Sequence, residues 1–368
     1  MKEVLAAVTV GLERVELRRF PLPDVGDDDA LLSIEAAGVC GSDFPFYAGL
    51  RSGPPRVQGH ENVGRILAIG KEAARRWNVG VGSRVAVEEF IPCWSCPMCR
   101  TGNYRLCDRS DPLSTHDALR YGDTGIDVAP ALWGGYAEVQ YLHPNSLVYP
   151  IAEHVPPEAG PLFIPISNGI RWVREVGQLP PGGSVVVIGP GQHGLGCVIG
   201  ARESGASLII VLGLARDKRR LDVARALGAD ATIVADREDA AARVRALTGG
   251  EMADLVVDVT PGTTKPLHLA ATLARKLGTV ILAGGKHEPL DDFDTMEIYR
   301  KELTLRGVRG HDVRSVVPAI KLIESGKYDL EPLMTHRYML NEVQRALETI
   351  GGRGDADAIH LTVLPVTA

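Results

Sequence analysis

The sequence predicts an α/β protein in which a β-rich domain is interrupted by a domain built on a doubly wound parallel sheet. Three observations carry that reading. Between residues 155 and 300, short apolar runs alternate with helix-patterned stretches, the order of a parallel sheet with crossover helices. Residues 1–154 and 301–368 have a mixed texture with many β-branched runs bounded by Gly, Pro or Asp, as strands and turns are. Aromatic residues make up only 5% of the chain, while glycines number 41; this disfavours an aromatic-rich β-sandwich and suits a glycine-turned sheet. The length of 368 residues fits about two domains of roughly 150 residues each.

In the first domain, strands are expected at Glu3–Val8, Leu31–Ala36, Asn62–Ala68 and Arg84–Val87. The opening MKEVLAAVTV is short and alternating, so it reads as a first strand and not as a signal peptide. In the insert, strands are expected at Ser184–Ile188, Leu208–Leu212, Ala231–Val234, Leu255–Val259 and Val280–Leu282. Helices fall at Asp217–Leu227, which stops at Gly228 where a capping glycine belongs, and at Asp239–Leu247. The last segment offers a helix at Val313–Ser325 and a strand at Ala358–Leu364. There is no 20-to-50-residue repeat.

Apolar residues at 45% and charged residues at 23% exclude a long disordered chain or a fibre. The net charge of −6 argues against nucleic acid, which needs a basic face. No apolar run approaches the roughly 20 residues that span a bilayer, so no membrane partner is expected and the protein is placed in the cytoplasm. Four of the six cysteines fall within residues 93–107. Such clustering reads as metal binding in a reducing compartment and not as a disulfide framework.

Residues 185–196 read VVVIGPGQHGLG, a G-x-G-x-x-G turn between a strand and a helix-compatible run. In that context it is a dinucleotide-binding signal. Gly189 permits the tight turn, Gly191 lets backbone approach a pyrophosphate, and Gly194 lets helix and strand pack closely. An acid at the end of the next strand would suit NAD. That strand reads IIVLGLARDKRR, with Gly213 at the acid's place and Arg216, Lys218, Arg219 and Arg220 behind it. A missing carboxylate and added cations lean toward NADP. The counter-reading is that Asp217 reaches the ribose, or that these charges are a solvated helix start.

Residues 93–107 read CWSCPMCRTGNYRLC, a C-x2-C-x2-C-x7-C spacing. Cys93, Cys96, Cys99 and Cys107 can close a tetrahedron around a structural zinc; an iron–sulfur cluster is the competing reading, and free surface thiols the blandest. Separately, Cys40 in GVCGSD and His60 in GHENVGRILAIG could be two ligands of an open zinc site, although a lone Cys is usually a small core residue.

Taken in order, GVCGSD, GHExxGxxxxxG, the four-Cys lobe, WGGYAEV at 133–139, the glycine turn and LGAD at 227–230 resemble the zinc-dependent medium-chain alcohol and polyol dehydrogenases over essentially the whole length. The resemblance implies a GroES-like catalytic domain at 1–154 and 301–368 and a Rossmann domain at 155–300. It implies NAD(P) bound through Gly189, Gly191, Gln192, His193, Gly194, Leu195, Gly213, Arg216, Arg220 and Thr260. It implies catalytic zinc on Cys40 and His60, with Glu61 as a supporting or alternate ligand, Ser42 passing the alcohol proton and Asp43 orienting His60. It also implies a homo-oligomer, dimer or tetramer, acting on a small alcohol or carbonyl.

Two departures stand out. The family's third zinc ligand, Cys or Glu, falls in GPLFIPISNGIRW at Ile164, which cannot coordinate, and Pro45 stands where many members carry a relay His. A zinc-free quinone or enoyl reductase, or a non-catalytic dinucleotide-binding protein, are therefore the rival readings. His116, His143, His154, His193, His268, His287, His311, His336 and His360 show no paired ligand spacing and are read as surface or satisfied core residues; for His193 only the backbone N–H need matter. Trp94, Trp133 and Trp172 are read as packing. Phe44, Phe46 and Tyr47 line either a substrate pocket or the core.

Overall fold

The doubly wound sheet occupies the middle of the chain in a computed structural model that describes residues 3–111, 118–286 and 288–365. Its six strands are β1 (Ser184–Ile188), β2 (Leu208–Gly213), β3 (Ala231–Val234), β4 (Ala253–Asp258), β5 (Ala274–Leu282) and β6 (Thr304–Gly307). They lie parallel in the order β3-β2-β1-β4-β5-β6. The order reverses between β1 and β4, and open α/β sheets take ligands at that reversal, beyond the carboxyl ends of the strands. Val186, Ile210, Val256 and Val280 are almost fully buried, as strands covered on both faces should be. Register brings Ile188 opposite Leu212 on one side and Asp258 on the other, so β1, β2 and β4 end level.

The helix after β1 is α1 (Gln192–Glu203), and the helix after β2 is α2 (Lys218–Ala226). Gly228 beyond α2 takes φ +110°, a conformation that costs glycine nothing. The Asp239 side chain accepts from the Ala242 N–H at 3.0 Å and caps helix Ala240–Leu247. Strand β5 begins six residues earlier than the apolar run Val280–Leu282 suggests, at Ala274. The polar Arg275–Lys276 and a left-handed Leu277 (φ +59°) conceal its start, and the register with β4 shifts there.

The chain divides into two compact units, Met1–Phe163 with Ile320–Ala368, and Ile164–Ala319. Composition puts the joins at 154/155 and 300/301, whereas the structure puts them nine and nineteen residues later. Both observed joins fall in helices, at the start of Phe163–Ile170 and inside Val313–Ser325, where no Pro/Gly-rich linker announces them.

The first unit holds a seven-stranded sheet. Its path runs Met334–Met339, His360–Leu364, Ala30–Val39, Glu61–Ile69, Arg84–Val87 and Val148–Pro150, with Val139–Leu142 also on Ala30–Val39. A three-stranded sheet of Arg14–Pro21, Glu3–Gly11 and Arg56–Val57 completes it. Its apolar core includes Val8, Leu32, Val39, Val57, Val85 and Leu361. No helix among the described residues is long and apolar enough to cross a membrane.

Candidate functional site

The seven-stranded sheet brings Cys40, His60 and Glu61 together. Cys40 follows the strand Ala30–Val39, and Glu61 opens the neighbouring strand opposite Gly38. All three residues are buried, and their ligand atoms lie within 4.8 Å of one another. The Glu61 carboxylate rests over Gly38: a Cβ there would stand 2.3 Å from Glu61 Oε2 and 3.1 Å from His360 Cε1. Only a glycine leaves room for that carboxylate.

Asp43, 3% exposed, organises the set. Its Oδ2 accepts from the Cys40 N–H at 3.1 Å and from the Tyr136 hydroxyl at 2.9 Å, and its Oδ1 lies 3.3 Å from His60 Nδ1. With Nδ1 held by a carboxylate, Nε2 is the nitrogen left to face a metal. Burial alone would favour a neutral His60, but Asp43, then Glu89, outweigh it and hold the ring well above the usual imidazole range. A site that favours positive charge here suits a metal cation. A buried thiol, an imidazole and a carboxylate are also donors that zinc accepts.

The four-Cys lobe is built locally. Cys93, Cys96, Cys99 and Cys107 bring their sulfurs within 4.8 Å of one another. The N–H groups of Cys93, Cys96 and Cys99 donate to Cys107, Cys93 and Cys96 sulfurs, each at 3.4 Å. Burial pushes the Cys93 thiol up, but donors from Ser95, Cys96 and Cys107 together outweigh it and bring it down to about 6, while burial and neighbouring thiols push Cys99 up. One low thiol beside one high thiol is how a cluster behaves when its negative charges share a small volume, and a cation relieves it. Phe90 and Tyr104 pack on the lobe.

Ser42 is exposed on the turn between Cys40 and Asp43. Phe44, Phe46 and Tyr47 make packing and polar contacts: the Arg56 guanidinium sits 3.8 Å over the Phe46 ring, the Tyr47 hydroxyl donates to Glu348 at 2.9 Å, and Phe44 packs against Gly351. Tyr136 and Glu89 are the residues that sequence reasoning missed. Tyr136 lies in WGGYAEV, and the motif's glycines have a packing reason, since a Cβ on Gly135 would stand 1.9 Å from Asn62 Oδ1. Glu89 pairs with Arg120 and carries no motif of its own.

In the second unit, the glycine turn has the required shape. Gly189 takes φ +102°, and a Cβ on it would stand 2.8 Å from Thr260 Cγ2. A Cβ on Gly194 would stand 1.9 Å from the Gly189 carbonyl oxygen, while one on Gly191 meets nothing within 4 Å. The turn is closed where helix meets strand and open where a phosphate would approach the start of α1. Gln192 and Leu195 are buried on the first turn of α1. The His193 ring is satisfied within the protein: its Nδ1 lies 3.3 Å from Asn168 Nδ2, and Asn168 Oδ1 lies 3.1 Å from His311 Nδ1. Trp172 donates to the Gly310 carbonyl at 3.0 Å, Trp133 is buried, and Trp94 is 47% exposed, so Trp94 is not a core residue. Ile164 is a buried side chain of Phe163–Ile170 with no coordinating atom. His116 and His287 lie outside the described residues.

After β2, Asp217 is buried, and it accepts from the Leu214 N–H at 2.9 Å and from Arg220 at 2.8 Å. Those two bonds turn its carboxylate onto its own turn, and Arg216 is exposed beside it. Gly213 is tightly enclosed, because a Cβ would stand 2.9 Å from Pro190 Cγ and 3.2 Å from Asp217 Cβ.

Residues 26–153 match the alcohol dehydrogenase GroES-like domain, and residues 194–325 match the zinc-binding dehydrogenase domain. The chain belongs to the zinc-dependent medium-chain alcohol dehydrogenase family. It is an oxidoreductase of the alcohol dehydrogenase type. A probable alcohol dehydrogenase of Mycobacterium tuberculosis is 40% identical over 367 residues, covering 98% of each chain. The erythritol/L-threitol dehydrogenase of Mycolicibacterium smegmatis is 30% identical over 376 residues, covering 99% of this chain and 98% of its own. An alcohol dehydrogenase from Thermotoga maritima shares the fold across the whole of both chains, with a TM-score of 0.87 at 24% identity.

Proposed function

We propose that this medium-chain dehydrogenase is a zinc-dependent, NAD(P)-linked enzyme that interconverts a secondary alcohol or polyol with its carbonyl compound. The observation that carries the reading is the convergence of Cys40, His60 and Glu61 around one point, with Asp43 fixed behind them. Zinc held there would polarise the substrate oxygen while the dinucleotide accepts or delivers a hydride. Asp43 keeps the His60 ring in one orientation, and Tyr136 keeps Asp43. Glu61 supplies the carboxylate that Ile164 cannot. The exposed Ser42 hydroxyl takes the alcohol proton and passes it to water, since Pro45 has no group to relay it.

A second zinc, on Cys93, Cys96, Cys99 and Cys107, has no position left for water and is structural. The open face at Gly191 supports a dinucleotide pyrophosphate at the start of α1. NADP is favoured slightly: Gly213 offers no carboxylate, Asp217 is engaged by Leu214 and Arg220, and Arg216 is exposed. Six free cysteines suit a reducing cytoplasm. The sheet edge at β6, exposed along its length, supports association of copies as a dimer or tetramer.

Ile164 keeps one rival in view, a zinc-free quinone or enoyl reductase on the same scaffold. Zinc depletion followed by readdition decides between them. Alcohol oxidation with NAD(P) should disappear and return in the natural protein and should not return in Cys40→Ser. Reduction of a quinone or enoyl compound that persists without zinc would assign the chain to the rival class.

A further inference from the structure

One buried ammonium fastens the loop after β4 to the loop after β5. Lys286 Nζ lies 2.8 Å from Asp258 Oδ2 and donates to the Thr260 carbonyl oxygen at 2.5 Å and hydroxyl oxygen at 3.1 Å. The Lys286 side chain is 8% exposed and that of Asp258 is 0% exposed. Asp258 Oδ1 in turn accepts from the Thr260 N–H at 3.0 Å and O–H at 2.6 Å. Two of the ammonium's three donors go to Thr260, and Asp258 Oδ2 meets the same nitrogen as an ion pair. The N–H, O–H and C=O of Thr260 are taken as well. Backbone bonds add to the clasp: the Ala283 and Gly284 N–H groups donate to the Asp258 carbonyl at 2.9 and 3.1 Å, and the Gly262 N–H donates to the Gly285 carbonyl at 2.9 Å. A Cβ on Gly284 would stand 2.1 Å from the Thr260 carbonyl oxygen, so the loops meet backbone to backbone.

The clasp stands at the glycine turn. Asp258 is paired with Ile188, the residue before Gly189, and the Val259 N–H donates to the Ile188 carbonyl at 3.1 Å. Thr260 Cγ2 faces Gly189, and Val259 Cγ2 would lie 3.3 Å from a Cβ on Gly194. These are the strand ends on either side of the reversal in strand order. A buried Lys–Asp pair is weak evidence for stability, because an apolar pair of similar volume often serves as well. What the pair supplies is direction: two hydrogen bonds and an ion pair at one nitrogen fix two loops in one arrangement.

We propose that Lys286 is a positioning residue for dinucleotide binding, and this rests on the NAD(P) reading above. It holds Thr260 and the 283–285 loop as a preformed wall of the crevice, so binding does not have to order them. Thr260 then presents its methyl group to the site and not a polar atom.

The test is fluorescence titration of NADPH and NADH into the natural protein, Lys286→Arg, Lys286→Met and the double variant Asp258→Asn/Lys286→Met, with thermal midpoints and steady-state KM values beside it. Lys286→Met should weaken both dinucleotides about tenfold and raise the cofactor KM while the alcohol KM stays put. Lys286→Arg should recover most of that loss. The double variant removes the stranded Asp258 charge; its midpoint should recover while its cofactor affinity does not. Recovery of affinity together with the midpoint would overturn the inference, as would a folded Lys286→Met that binds like the natural protein. A natural protein that binds neither dinucleotide would overturn the cofactor reading and this inference with it.

Discussion

Around Cys40 and His60 the working atoms belong to side chains, each held by another: Asp43 holds His60 and is itself held by Tyr136. Around Gly189–Gly194 the working surface is backbone, uncovered because side chains are missing. A site of the first kind fails when an atom is removed. A site of the second kind fails when an atom is added. The two units therefore respond to opposite classes of substitution.

The largest effect should come from removing a sulfur. Structural zinc contributes folding free energy directly, so Cys96→Ser should lose the lobe's zinc and lower the thermal midpoint by roughly 10 °C, at about 2–4 °C per kcal/mol for a unit of this size. Protein that stays folded should bind NAD(P)H as before. An unchanged midpoint and metal content would show that the lobe is not a metal site.

Adding one methyl group to the turn separates closing from opening. In Gly194→Ala the new Cβ would lie 1.9 Å from the Gly189 carbonyl oxygen, so strand and helix must part. About 1–3 kcal/mol of stability should be lost, as in overpacked cores, together with cofactor binding. In Gly191→Ala the Cβ meets nothing. The midpoint should hold while cofactor affinity falls about tenfold, because the methyl occupies the pyrophosphate's approach. Calorimetry and titration on the pair check this, and equal losses of stability would break the contrast.

Asp43→Asn keeps the shape behind His60 and removes the charge. Zinc affinity at Cys40, His60 and Glu61 should fall about 10–100-fold, read by competition with a chromogenic chelator, with the lobe's zinc retained. The smallest effect is expected from Arg216→Ala, which should weaken NADP(H) by about 1 kcal/mol, as losing an exposed charge contact does, and leave NAD(H) unchanged. Gly213→Asp is a poor probe of the same question, because the enclosed Cβ position would disturb Pro190 and Asp217.

What could be read from the sequence follows the same division. The four-Cys lobe and the glycine turn are local: their spacing alone brings the atoms together, and the strands Ser184–Ile188 and Ala231–Val234 end where the residue pattern says. The Cys40–His60–Glu61 set depends on the register of two strands: the residue types alone offered Cys40 and His60 only as a weak pair, and the resemblance to a family joined Glu61 to them. Glu61 over Gly38 and Tyr136 on Asp43 join residues that are distant in sequence, and no periodicity encodes such pairs. The Lys286–Asp258 clasp was invisible for the same reason: it exists because β4 and β5 end side by side. Asp217 looked available because a sequence does not show that its carboxylate caps its own turn.

Zinc counted per chain, alongside alcohol oxidation, tests the central claim most directly. The natural protein should hold about two zinc ions, one in the closed thiolate site and one in the open site. Glu61→Gln should keep the lobe's ion, lose the other and lose turnover with it. Two ions and full turnover in Glu61→Gln, or a natural protein that binds only the lobe's ion in excess zinc, would contradict the account.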